Sequence, residues 1–87
     1  MKVAVWDTYV TRNDGATMHF DIVVPDDLKD ENIIHNFGRQ YLDSKGQTGS
    51  QLASEECRYC HIAVAPPTVV RDIESKGYHI IEMENCV

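Results

Sequence analysis

The sequence predicts a small α+β domain, a two-layer sandwich with two helices on one face of a four-stranded sheet. Two observations lead to this prediction. Segments rich in β-branched and aromatic residues flank a turn at Asn13-Asp14-Gly15, which is typical of an antiparallel β-hairpin. Two helix-like stretches then alternate with two strand-like stretches, giving the order ββαβαβ. At 87 residues, the chain has room for a single domain only, residues 1–87.

The N-terminal hairpin is predicted to pair residues 2–10 with residues 16–24 through a three-residue loop. Gly15 takes the left-handed conformation in such a loop. This register sets Trp6 opposite Ile22, so that one face of the hairpin is almost wholly apolar, as a half-buried sheet requires. A two-residue turn would place Trp6 and Ile22 on different faces of the hairpin. We therefore favour the longer loop.

A helix is predicted over residues 30–45. Apolar residues recur at helical spacing from Ile33 to Leu42, and Asp26, Asp27 or Asp30 can cap the helix that they form. A basic residue and Gly46 mark the C-terminal end. The polar segment 47–51 contains glycine and serine and is predicted to be the longest loop.

The C-terminal half is predicted to contain a strand, a helix and a final strand. Residues 55–59 form one helical turn in this prediction, and the strand follows at residues 61–65. Pro67 suits the first turn of the second helix, and Gly77 ends that helix. The last strand is predicted at residues 78–83.

Charge and composition narrow the classes of partner. Fourteen acidic residues against eight basic ones give a net charge of −6, which disfavours nucleic acid and anionic membrane surfaces. No stretch has the roughly 18 apolar residues of a membrane span. The chain opens with an alternating segment rather than the apolar block of a signal peptide, so a cytoplasmic location is expected. Three cysteines in a reducing compartment do not suggest a disulfide framework.

The most specific local motif is Cys57-Arg58-Tyr59-Cys60-His61. These five residues match the c-type haem attachment motif. However, no export signal is seen in the sequence, and a helical turn followed by a strand is the wrong setting for haem attachment. As a metal half-site it would hold zinc through the two thiolates, since closely spaced cysteine pairs commonly supply two of four ligands. The further donors in that hypothesis are His61, His79 and Cys86, which are scattered along the chain.

Two other interpretations of the thiol pair remain open. A redox pair works best where a helix N-terminus lowers the thiol pKa, but Glu55 and Glu56 just before Cys57 act in the opposite sense. In the simplest interpretation, Cys57 and Cys60 are two small side chains that pack beside the sheet.

A second candidate site follows from the hairpin register. On the face away from the apolar one, Asp7 lies opposite Asp21, and Tyr9 lies opposite His19. Two like charges about 5 Å apart repel by roughly 0.8 kcal/mol in water and about 3 kcal/mol at an effective dielectric constant of 20. If this sheet face is solvated, the two facing carboxylates need no explanation. If the face is covered, a shared proton, a bound cation or a basic partner is required to offset their repulsion.

Four segments, AVWDTYVTRNDG, MHFDIVVP, ECRYCH and GYHIIEMENC, resemble a family of small bacterial proteins known only as a domain of unknown function. The resemblance spans essentially the whole chain. It implies a compact α+β domain of bacterial cytoplasmic origin. It implies no activity, cofactor or catalytic residue.

The first functional hypothesis is therefore a non-enzymatic domain that binds a protein partner or itself, with zinc at Cys57 and Cys60. A homodimer is suggested by Val3, Val5 and Val23, which lie on the more polar sheet face. The alternative is a small thiol redox factor or an enzyme, which would use either the cysteine pair or the aspartate-histidine patch.

Overall fold

The computed structural model describes residues 2–47, 51–56 and 65–86, and these form one antiparallel sheet and two helices. The α+β class, the order ββαβαβ and the N-terminal hairpin are as predicted. The strand order in the sheet is β3-β1-β2-β4. In chain order, the elements are β1 (Val3–Thr11), β2 (Thr17–Pro25), α1 (Glu31–Ser44), β3 (Leu52–Glu56), α2 (Pro67–Lys76) and β4 (His79–Glu84).

The hairpin has the predicted register. Trp6 pairs with Ile22 in the β1–β2 ladder. The amide of Arg12 donates to the carbonyl of Ala16 at 2.8 Å, and Gly15 has a φ of 89°, so the loop is the three-residue type. One face of the hairpin is consequently apolar and buried.

Helix α1 covers this apolar face. The Asp30 carboxylate caps the helix by accepting from the amide of Asn32. Ile34, Tyr41 and Leu42 are buried against the hairpin, and the Tyr41 ring packs on Phe20 with centroids 4.6 Å apart. Because these residues recur at helical spacing, the sequence pattern predicted both the helix and its buried face.

The prediction that both helices lie on one face is wrong. Helix α2 packs on the opposite face, where Val69 and Ile73 form a second core with Val3, Val5 and Val23. A helix on this side buries valines that would otherwise contact water. The three valines that suggested a homodimer are thus covered within the chain.

The third strand also lies elsewhere than predicted. Glu55 and Glu56, assigned from the sequence to a helical turn, belong to β3, which pairs with β1 at the edge of the sheet. Leu52 packs on the α1 core, and the Ser54 hydroxyl lies 2.9 Å from that of Thr8. The predicted strand at 61–65 falls outside the described residues except for Ala65, which is buried in the second core.

The last two elements follow the prediction closely. Pro67 opens α2, and Gly77 ends it in the left-handed conformation. Strand β4 then pairs with β2 at the other edge of the sheet. Neither helix in the described part of the chain is long and apolar enough to span a bilayer.

Candidate metal site

The α2 face of the hairpin carries a polar patch beyond the valines that α2 covers. Strand alternation places Asp7 and Tyr9 of β1 on this face, with Asp21 and His19 directly opposite on β2. We refer to these four residues as the polar patch. The structure brings them together in the pairing that the hairpin register predicted.

Three side chains of the polar patch converge on one point. One ligand atom from each of Asp7, His19 and Asp21 lies within 4.8 Å of the other two. The Nε2 atom of His19 is 3.8 Å from Asp7 Oδ1 and 3.6 Å from Asp21 Oδ1. Both distances are too long for a hydrogen bond, so His19 Nε2 faces the two carboxylates without bonding to either oxygen.

Two of these converging atoms are buried and unpartnered. Asp21 is only 9% exposed. Its Oδ1 and the Nε2 of His19 have no hydrogen-bond partner among the described residues. Buried polar atoms are nearly always hydrogen-bonded, and an unpaired one costs about 1–3 kcal/mol. A group bound between the two atoms would remove that cost.

The electrostatics of the patch disfavour two charged carboxylates without a counter-charge. The pKa of Asp21 is raised from 3.8 to about 6, mainly by burial and further by the hydrogen bond and the negative charge of Asp7. The positive charge of His19 acts in the opposite sense. A cation at the centre of the patch would favour the ionised form of Asp21.

The imidazole of His19 is held in place by Tyr9. The two rings stack with centroids 4.3 Å apart and planes at 8°. Tyr9 remains 49% exposed, so its ring shields one side of His19 while facing solvent on the other. This stack fixes the plane in which Nε2 points at the two aspartates.

Glu55 is a further acidic residue at this site, and the sequence analysis did not place it there. It lies opposite Asp7 in the β1–β3 ladder and is exposed. Together with Tyr9 and Ala53, these two residues line a cavity of about 420 Å³. Because Leu52 and Ser54 alternate with Ala53 and Glu55, a strand pattern was present, but only one large apolar residue marked it.

The cysteine-based metal site is not assembled by the described residues. Cys57, Cys60 and His61 lie outside them. His79 begins β4, where its Nδ1 lies 2.6 Å from Asp72 Oδ2. Cys86 lies beyond the other end of β4, so the length of the strand, roughly 17 Å, separates it from His79. The Sγ atom of Cys86 donates to the carbonyl of His19 at 3.2 Å. His79 and Cys86 are therefore too far apart to share an ion.

Comparison with known proteins identifies the family. Residues 1–83 match the family model described as "Domain of unknown function (DUF2024)". The chain belongs to the DUF2024 family. Among solved structures, the NMR structure of a structural-genomics target protein from Nitrosomonas europaea is 42% identical, with a TM-score of 0.77. The match covers 100% of both chains. A comparison with curated proteins finds no match.

Membership in DUF2024 accounts for the fold but assigns no activity. The similar structure comes from a bacterium, in keeping with the bacterial family that the sequence motifs indicated. Any function for this DUF2024 protein has to be argued from the polar patch itself.

Proposed function

We propose that this DUF2024 protein binds a divalent metal ion, zinc by preference, through Asp7, His19 and Asp21. The observation that carries the proposal is the pair of buried, unpartnered atoms, His19 Nε2 and Asp21 Oδ1, which face each other at 3.6 Å. An ion between them would be bound by both atoms and by the Asp7 carboxylate.

The donor types favour zinc and similar first-row metals. Imidazole nitrogen suits zinc, iron and copper, whereas Ca²⁺ takes six to eight oxygen ligands and Mg²⁺ keeps several waters. Zinc binds both histidine nitrogen and aspartate oxygen, and three protein ligands leave its fourth position open to water. The polar patch supplies three such ligands from two adjacent strands.

The spacing of the donors supports the same choice. In a tetrahedral centre with bonds of about 2.0–2.1 Å, ligand atoms lie about 3.4 Å apart. In an octahedral Mg²⁺ centre with similar bonds, neighbouring ligands lie about 2.9 Å apart. The two distances from His19 Nε2, 3.6 and 3.8 Å, are close to the tetrahedral spacing, and all three ligand atoms lie within 4.8 Å of one another.

Zinc titration of metal-free protein by calorimetry tests the proposal. We expect one ion per chain. Asp7→Asn should lower the affinity at least tenfold, because it removes an anionic ligand but keeps the side-chain shape. Asp43→Asn is the matched control, since Asp43 is an exposed residue on α1. The control should bind zinc like the unmodified protein.

A cysteine variant separates this site from the thiol hypothesis. Cys57→Ser should leave the stoichiometry and affinity unchanged if the ion lies in the polar patch. Loss of zinc in Cys57→Ser with retention in Asp7→Asn would assign the ion to the thiol pair and contradict the proposal.

A further inference from the structure

We infer that the zinc site is open toward Glu55 and hydrolyses small uncharged carboxylic esters, with Glu55 as the general base. This inference rests on the proposed function, because it requires the ion at Asp7, His19 and Asp21. It adds a reaction, a base and a class of substrate.

The three protein ligands would approach the ion from one side. All three come from adjacent strands of the same sheet face. The side chain of Asp7 is 38% exposed, so solvent reaches this edge of the polar patch. Catalytic zinc sites have three protein ligands and a fourth position for water, whereas structural sites have four protein ligands.

The position of Glu55 suits a general base. It lies beside Asp7 on β3, and side chains directly opposite each other in such a ladder have Cβ atoms about 4.5–5.5 Å apart. Glu55 is not one of the converging donors. Among the described residues, its carboxylate has no hydrogen bond or ion pair. A free carboxylate next to the open side of a zinc site is suitably placed to take a proton from a zinc-bound water.

The cavity defines the substrate. Its volume of about 420 Å³ is at the small end of the range for ligand pockets, and the exposed ring of Tyr9 gives it an apolar wall. Asp7 and Glu55 line the same cavity and repel anions. Small neutral esters therefore fit the cavity better than phosphate esters or carboxylates do.

The reaction is balanced without a further reactant. The oxygen of water forms a bond to the ester carbonyl carbon, the π electrons move to the carbonyl oxygen, and Glu55 accepts the proton of water. Zinc stabilises the negative charge on oxygen. The carbonyl then re-forms as the carbon–alkoxide bond breaks, and Glu55 returns the proton to the alkoxide. The products are a carboxylic acid and an alcohol.

Hydrolysis of 4-nitrophenyl acetate by zinc-loaded protein tests the inference. We expect a rate that depends on zinc and exceeds the rates of metal-free protein and of free zinc. 4-Nitrophenyl phosphate should not be hydrolysed. Glu55→Gln should lower kcat at least tenfold while binding one zinc as before. Glu74→Gln, at an exposed position on α2, is the matched control and should retain the full rate.

The results for binding and for hydrolysis are separable. Zinc bound at the polar patch without ester hydrolysis would overturn this inference and leave the proposed function intact. Hydrolysis that persists in Glu55→Gln would exclude Glu55 as the base. If no zinc binds, the proposed function itself fails.

Discussion

Asp21 shows how a single side chain links the fold to the candidate site. Its neighbours along β2 are buried apolar residues, so the strand carries it into a covered position opposite Asp7. Burial and the second carboxylate both make ionisation harder. Without an ion, the folded protein therefore binds a proton at Asp21 more tightly than the unfolded chain does.

This difference predicts a pH dependence for the metal-free protein. The pKa of Asp21 is about 6 in the folded state, against 3.8 when unperturbed. The folded state binds more protons between these values, so the contribution of Asp21 to stability falls as pH rises from about 4 to 6. The resulting destabilisation above pH 6 is at most about 3 kcal/mol.

Asp21→Asn should remove this penalty. In EDTA, we expect the variant to gain about 1–3 kcal/mol relative to the unmodified protein between pH 4 and pH 8. Urea unfolding at both pH values measures the change. Asp43→Asn is the control for a simple loss of charge. An equal offset of Asp21→Asn at both pH values would contradict the raised pKa.

At the scale of the elements, the two helices end in similar backbone conformations with different surroundings. Gly46 follows α1 with a φ of 73°, and a Cβ atom there would meet nothing within 4 Å. Gly77 ends α2 with a φ of 95°, and a Cβ atom would lie 3.0 Å from the ring of Phe37. That ring stacks on Tyr78 and belongs to the rim of the α1 core.

Alanine at these two positions should separate backbone strain from packing. Gly46→Ala introduces only the left-handed strain, about 1–2 kcal/mol. Gly77→Ala adds the displacement of the Phe37 ring, and we expect a total of about 2–3 kcal/mol. Chemical denaturation of the two variants gives the comparison. Equal losses would mean that Phe37 moves aside without cost.

At the scale of the whole molecule, one hairpin supports two cores. The α1 face is apolar along its length except at Thr8, whereas the α2 face is apolar only around Val3, Val5 and Val23. Helix α2 covers this apolar part. The polar patch begins where the valines end, so the second core and the candidate site share one sheet face.

The second core should contribute substantially to stability. Ile73 is 7% exposed beneath α2, and Ile73→Ala should cost about 2–3 kcal/mol. Ile33→Ala is the matched control, because Ile33 is 40% exposed and should cost less than about 1 kcal/mol. Thermal or urea unfolding measures both variants. Equal effects would contradict the placement of α2 over the valines.

Local chemistry made the hairpin and the helices predictable. The turn residues set the register of β1 and β2, and that register alone places Asp7 opposite Asp21 and Tyr9 opposite His19. Gly77 marked a helix end that the structure confirms, and the structure selects Asp30 among the three aspartates that could cap α1. Each of these features depends on residues close in sequence or joined by one tight turn.

The sequence by itself thus determined the α+β class, the hairpin register and the members of the polar patch. Only the tertiary structure decided which face α2 covers and that Glu55 lies beside the polar patch. The face of α2 depends on which apolar surface remains free after α1 packs. Strand β3 pairs with β1 at the sheet edge and places only Leu52 on the α1 core, so its side chains carry little signal of a strand.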